Sequence, residues 1–258
     1  MTSFTTPGIL LRRIAYGDHD LILSLFTLHE GKVSVIAKSA KKSAKRFSGI
    51  LEPFSVLQLV WSTGRGKGLP VLKEASLQKP FFRIRANVKK TAYASYWAEL
   101  INEWMEEGVR HDDLYYLFEH VLAELDRGGA EEGALSILFQ MRFMSMSGFC
   151  PDLTQCGICR INLEKIEENR VVFDFAKGGL LCSRCASGAT RKASLSKGTI
   201  KQLRWIETGR LEKAKRIRFA GRELKEALDV MERFVPYHLG KKPKSLIFLG
   251  QIRNEGKL

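Results

Sequence analysis

A chain of 258 residues, 45% hydrophobic, is long enough to bury one large core or two modest ones. No window approaches eighteen uninterrupted apolar residues, so no membrane span is expected, and MTSFTTPGILLRR lacks the basic start, apolar run and cleavage site of a secretory signal. The formal charge of +14 is unevenly placed: residues 1–90 hold 16 Lys/Arg against 5 Asp/Glu, residues 91–150 hold 3 against 11, and residues 151–258 hold 23 against 12.

Two basic regions flanking an acidic one point to polyanion-facing surfaces, with a separate face for the core or for another protein. Nucleic acid is the commonest cytosolic polyanion. Anionic lipid is disfavoured, because no basic helix shows the exposed apolar face of a membrane-surface segment.

The first eighty residues predict β-structure. GILLRRIAYG, LILSLFTLHEG and KVSVIAKSA are short apolar or alternating runs punctuated by Gly, Asp or charged clusters, and FSVLQLVW and LPVLKEASL follow across the hairpin signal STGRGKG. Five short strands fit a small closed or partly open barrel; an OB-type and an SH3-like barrel suit the count equally. From about residue 85 the period becomes helical. Ala92, Tyr93, Tyr96, Trp97, Leu100, Ile101, Trp104 and Met105 mark one helix. Leu114 to Leu125, ended by Gly128-Gly129, marks a second, and Leu135 to Met146, stopped by Gly148 and Pro151, a third. Ile200, Leu203 and Ile206 mark a short fourth helix, and Leu224 to Val235 a longer fifth, closed by Pro236 and Gly240. These stripes are read as core.

The strongest chemical signal is C-x2-C-x22-C-x2-C, formed by Cys156, Cys159, Cys182 and Cys185. Two such turns supply four thiolates for one tetrahedral structural zinc, and RVVFDFAKGGLL between them reads as a β-ribbon returning the second pair to the first. A catalytic zinc needs an open position and usually a His or carboxylate ligand, and a redox C-x-x-C normally occurs once, at a helix start. Cys150 is expected to be a small buried residue, not a fifth ligand.

The second signal is Lys38-Ser39-Ala40-Lys41-Lys42-Ser43-Ala44-Lys45-Arg46, five bases in nine residues with no acid. An arbitrary charge run is usually a solvated loop. Emerging from a small barrel, this one is expected to neutralise phosphates with release of counterions, which gives affinity without sequence preference. Arg65 and Lys67 in the next hairpin, with Arg83, Arg85, Lys89 and Lys90, extend the same expected surface. No nucleotide-binding loop and no nucleophile–base pair is found. Asp18 and Asp20 read as a turn with solvated carboxylates, and Asp112-Asp113 as acids at a helix start. A metal-dependent nuclease using Asp18, Asp20 or Asp112 is a competing reading, as is a zinc-ribbon RNA-binding or transcription-associated protein.

The stretch GILLRRIAYGDHDLILSLFTLHEGKVSVIAKSAKKSAKRFSGILEPFSVLQLVW, with GFCPDLTQCGICR and LLCSRCA, resembles the bacterial recombination mediator family RecO. The likeness covers nearly the whole chain and is most specific from Tyr16 to Pro53. It implies an α+β protein: a five-stranded OB-type barrel over residues 1–82, then a helical domain over 83–258 with a four-cysteine zinc insert at about 150–190. It also implies binding of single- and double-stranded DNA, annealing of complementary strands, and, with RecR, loading of RecA onto strands coated by single-stranded-DNA-binding protein (SSB), without cofactor-driven chemistry. One structural Zn²⁺ on the four cysteines and a cytoplasmic, nucleoid-associated location follow from the same likeness. The loop SAKKSAK departs from a more arginine- and proline-rich family pattern, and Ser39 stands where glycine is usual. Arg142, set in the apolar run LFQMRFM, is the expected contact for the acidic, apolar SSB tail.

Overall fold

Alternating side chains in the N-terminal third resolve into β1 (Ser3–Tyr16), β2 (Asp20–Thr27), β3 (Gly31–Ala37), β4 (Val56–Ser62) and β5 (Val71–Lys79). The computed structural model describes residues 2–43, 46–64, 68–188, 190–209, 211 and 218–255. By internal packing the chain forms two units, Met1–Arg127 with Lys244–Leu258, and Gly128–Pro243. The expected division after residue 82 follows the change from strand to helix, whereas these units follow side-chain packing.

In the first unit the strands close into a barrel in the order β1-β2-β3-β5-β4. Neighbours are antiparallel except β3 and β5, whose parallel contact pairs Ile36 with Val71. That return of the last strand beside the third is the Greek-key closure of an OB barrel, which decides between the two barrels left open by strand count. Leu10, Leu23, Leu25, Val35, Leu57, Leu59, Trp61 and Leu72 fill the interior. β2 reads as an almost unbroken apolar run because both of its faces are covered: Leu23 and Leu25 point into the barrel, while Phe26, also fully buried, meets Tyr115 with ring centroids 6.1 Å apart. Gly31 is required at the start of β3, since its φ is +61° and an added Cβ would stand 2.0 Å from the Val109 carbonyl oxygen.

The helices of this unit are α1 (Phe82–Arg85), α2 (Val88–Trp104) and α3 (Asp112–Arg127), joined by α7 (Lys244–Glu255) from the C-terminus. α2 starts at Asn87, whose side chain accepts the Lys90 N–H. Glu99 on α2 accepts the backbone N–H groups of Lys244 at 3.0 Å and Ser245 at 2.8 Å, so a carboxylate closes the start of α7. With α7 along one side and α1, α3 and the barrel also against it, α2 buries Ala92, Tyr93, Ala94, Tyr96, Trp97, Ala98, Leu100 and Ile101.

The second unit contains α4 (Glu132–Met146), then β6 (Asp152–Cys156), β7 (Arg170–Asp174), β8 (Gly179–Leu181) and β9 (Lys192–Ser196) as one sheet in the order β6-β8-β7-β9, then α5 (Lys197–Thr208) and α6 (Gly221–Leu239). The expected ribbon is the antiparallel β7–β8 pair. Phe173 of β7 packs edge-on against Phe234 of α6 with centroids 5.3 Å apart, which fixes sheet to helix. α6 passes through Pro236 and ends at Gly240, φ 76°. Proline forfeits only one helical N–H, and glycine supplies the left-handed cap one turn later, so Pro236 does not close the helix as expected. Among the described residues no helix is long and apolar enough to cross a membrane.

Candidate nucleic-acid interface and metal centre

The basic segment leaves the barrel at the end of β3 as a built loop. Ser39 adopts a left-handed conformation, φ 55°, and donates its N–H to the Asp20 carboxylate at 2.7 Å. The Lys41 N–H reaches the His19 carbonyl at 3.0 Å, and its ammonium donates to the Gly17 carbonyl at 2.8 Å. Arg46 donates to the Lys38 carbonyl at 2.7 Å and lies 4.8 Å over the ring of Phe47, which is itself buried in the barrel core. The Asp18–Asp20 turn thus serves as an anchor for the loop. A left-handed non-glycine residue is held only where its surroundings fix it, which accounts for Ser39 at a position where glycine is easier.

Fastened this way, the loop presents Lys38, Lys41, Lys42 and Arg46 to solvent. Among the described residues no carboxylate pairs with any of the four side chains. Lys45, Arg65 and Lys67 lie outside the described residues. Of the bases expected to extend this surface, Arg83 and Lys89 are exposed, whereas Arg85 is only half-exposed and binds the Pro53 and Pro80 carbonyls at 3.1 and 2.8 Å. Arg85 is therefore a clamp between barrel loops. Lys90 reaches the Asp126 carbonyl at 3.3 Å, at the end of α3. Asp112 is held by Arg110 through bonds of 2.5 and 2.6 Å, and that guanidinium lowers its pKa.

Arg142 donates to the carbonyls of Ile206, at 3.1 Å, and Gly209, so its cation sits at the negative end of α5. Cys150 is exposed, with its sulfur 3.2 Å from the Glu207 carboxylate. This corrects the expectation of a buried residue: α4 ends at Met146, and Cys150 lies on the exit from it, beyond the packed helical face.

The four cysteines of the spaced motif converge. Cys156 ends β6 and Cys182 follows β8, and the parallel pairing of those strands sets the two turns side by side, with the Gly157 N–H on the Leu180 carbonyl at 2.8 Å. Each turn is closed locally: the Arg160 N–H returns to the Cys156 carbonyl and the Cys185 N–H to that of Cys182, both at 3.0 Å. All four sulfurs lie within 4.8 Å of one another, and Cys159 and Cys182 are 3.7 Å apart. A tetrahedral ion with Zn–S bonds of about 2.3 Å requires sulfurs about 3.8 Å apart, so a four-thiolate site fits this cluster.

Electrostatics points the same way. Burial pushes the Cys156 thiol up, but N–H groups of Cys182, Ile158 and Cys159 donate to its sulfur and bring it down to about 6. The neighbouring sulfur of Cys182, with burial and the other sulfurs, pushes Cys185 up to about 12. Neighbouring thiolates therefore need a cation between them. Among the described residues these cysteines are the one group of three or more His, Cys, Asp or Glu side chains placed to hold a metal ion.

Comparison with known proteins bears on both features. A family model described as "Recombination protein O N terminal" matches residues 1–81, and one described as "Recombination protein O C terminal" matches residues 85–247. The chain is 41% identical to the DNA repair protein RecO of Desulfosudis oleivorans, over 98% of this chain and 100% of that protein. It is also 41% identical to the RecO of Desulfatibacillum aliphaticivorans, over 98% of each, and 35% identical to that of Syntrophus aciditrophicus, over 97% of this chain and 96% of the relative. The chain belongs to the RecO family.

RecO membership makes this a DNA repair and recombination protein, of a family of non-enzymatic recombination mediators. A nuclease based on Asp18, Asp20 or Asp112 has no place in that assignment, and the Asp20 and Asp112 carboxylates are occupied locally. Sequence reasoning missed Asp20 as the anchor of the basic loop. The signal was the serine at a turn position that favours glycine, which asks for a partner able to hold a left-handed N–H. It also missed Glu226 of α6, whose carboxylate accepts from Ser196 N–H at 2.9 Å and Thr199 hydroxyl at 2.8 Å and pairs with Arg170 at 2.6 Å. Glutamate on a helix gives no such signal in sequence.

Proposed function

We propose that this protein binds single- and double-stranded DNA through backbone phosphates, anneals complementary strands, and helps load RecA onto SSB-coated single strands, with RecR and the SSB tail as protein partners. The observation that carries this reading is the anchored loop on a closed OB barrel, four exposed cations without carboxylate partners among the described residues, in a chain of the RecO family. Lys38, Lys41, Lys42 and Arg46 would neutralise phosphates, and Lys45, Arg65 and Lys67 are proposed as further DNA contacts. Contacts of this kind release counterions and carry no base information, so strands stay mobile. Mobility is what annealing needs, because two bound backbones must still slide into register. Anchoring to the β1–β2 turn limits the conformational entropy lost on binding.

Cys156, Cys159, Cys182 and Cys185 would hold one structural zinc, and the ion's part is to neutralise the thiolates and lock the two turns together. The acidic SSB tail is proposed to meet the neighbourhood of Arg142, whose cation lies at the C-terminal end of α5.

The test is annealing of complementary strands coated with SSB by the purified protein, without nucleotide. Faster annealing than with SSB alone is expected. No acceleration, together with no binding of any oligonucleotide at low ionic strength, overturns the reading. Tighter binding of single-stranded RNA than of DNA of equal length, without annealing, would place the chain with RNA-binding proteins.

A further inference from the structure

We propose that the open end of the barrel is a nucleobase-binding cleft that takes a base from a single strand and refuses one held in a duplex. The inference rests on the DNA-binding reading above and adds to it a way of telling the two forms apart. Past Ile9, β1 leaves β4 and pairs with β2 alone, while β2 keeps its pairing to β3. In the β1–β2 register Leu10 faces Leu25, Arg13 faces Leu23, and Ala15 faces Leu21. Leu10, Leu23 and Leu25 are fully buried in the core, so Arg13, Ala15 and Leu21 continue the same inward row past it. The bulge at Leu11 is what puts Arg13 on this row in place of Arg12.

The row lines a cleft of about 440 Å³. Ala15 and Leu21 give it an apolar wall, Phe47 and Leu51 are buried behind its surface, and Arg13, Lys41 and Glu52 supply its polar groups. Ala15 is the smallest side chain on the row. Arg13 is fixed there, donating to the Glu52 carboxylate at 2.7 Å and the Leu51 carbonyl at 3.1 Å. Mouths of β-barrels with apolar walls and a few convergent polar groups are common ligand sites, of roughly 300–1,000 Å³.

The chemistry matches a base. A base has a flat apolar face and an edge where donors and acceptors lie side by side, and the Arg13–Glu52 corner offers a donor beside an acceptor. The loop that bears Phe47 also bears Lys38, Lys42 and Arg46, so phosphates flanking a captured base would meet cations. An acidic peptide would use the same cations, but its carboxylates would face Glu52. In a duplex the base is paired and stacked, and extracting it costs a few kcal/mol. The cleft would therefore strengthen single-strand binding and leave duplex binding to the loop.

The experiment uses the full chain and three probes of equal length: an oligothymidylate, a strand of abasic tetrahydrofuran residues, and a duplex. Contact of a base with the Ala15–Leu21 wall and with the Arg13 guanidinium should make the wild type prefer thymidylate to the abasic strand by about tenfold. Ala15→Phe fills the cleft from an exposed strand position, where phenylalanine is a good strand former. It should abolish that preference and leave duplex affinity unchanged, while Ala15→Ser keeps the preference. Equal affinity of the wild type for thymidylate and abasic strands, a comparison that needs no variant, overturns the cleft while the DNA-binding reading stands. Retention of the preference in Ala15→Phe does the same. Binding of no oligonucleotide removes both. Displacement of thymidylate from the wild type by an acidic peptide, absent in Ala15→Phe, would assign the cleft to a protein partner and overturn the proposal.

Discussion

The basic loop and the cysteine cluster are both groups of like charge without a counter-ion among the described residues, and they differ in one physical respect. Lys38, Lys41, Lys42 and Arg46 stand in water, where two unit charges about 10 Å apart repel by only roughly 0.4 kcal/mol. The four sulfurs lie within 4.8 Å of one another, with Cys156 and Cys182 buried. There the sulfurs cannot all ionise without a cation. Solvation thus makes the counter-ion optional in one region and obligatory in the other. On the function proposed above, the loop would fold first and then meet a polyanion, whereas the insert would need its ion in order to fold. Glu226 is the intermediate case, a largely buried charge whose partners are built into the chain.

The largest expected effect is on the obligatory side. Cys159 is the exposed member of the cluster, so Cys159→Ser changes little besides the metal site. Zinc, expected at about one per chain in the wild type by elemental analysis, should fall to near zero. Unit stability should drop by on the order of 4 kcal/mol, the range associated with loss of a structural metal. A variant as stable as wild type without metal would show that the turns hold themselves together.

Glu226 should give the next effect. Burial raises its pKa, but the Ser196 N–H, Arg170 and Thr199 outweigh this and bring it down to about 2. A folded-state pKa below the unfolded value means that the stabilisation is present above the unfolded value of about 4.5 and is lost as pH falls toward about 2. Glu226→Gln should cost about 2 kcal/mol at neutral pH, as measured by urea unfolding, and flatten the loss of stability across that acid window. Equal acid sensitivity in the variant would mean that another group controls it.

How much of this was legible in the sequence follows from the same distinction between local and distant partners. The barrel strands and five of the helices could be read because periodicity reports the face each residue buries. The cysteines could be read because metal geometry imposes spacing within each turn. α7 was missed: KSLIFLGQIRNE is short and its apolar residues do not gather on one face, since its start is fixed by Glu99, far away in sequence. β6 and β9 were missed because one carries the first cysteine and the other reads as a polar approach to α5. Arg13 was invisible as a cleft residue, because the bulge at Leu11 shifts the alternation that assigns faces. Cys150 was misjudged because it lies on the connection after α4, where no periodicity reports which side chains are buried.

The smallest expected effect on stability belongs to the loop, and it tests the comparison most directly. Replacing Lys41, Lys42, Lys45 and Arg46 together by Ala removes repulsion and a few exposed bonds, so unfolding free energy should change by less than about 1 kcal/mol. DNA binding should nevertheless weaken, and the slope of log affinity against log salt for single strands should flatten by up to roughly 3, about 0.7 for each phosphate no longer neutralised. Retained stability with a reduced slope is the behaviour of charges whose partner comes from outside. A large drop in stability with the slope unchanged would instead place these cations among the groups that hold the fold, alongside Arg85 and Arg142, and the phosphate-binding surface would have to be sought elsewhere on the barrel.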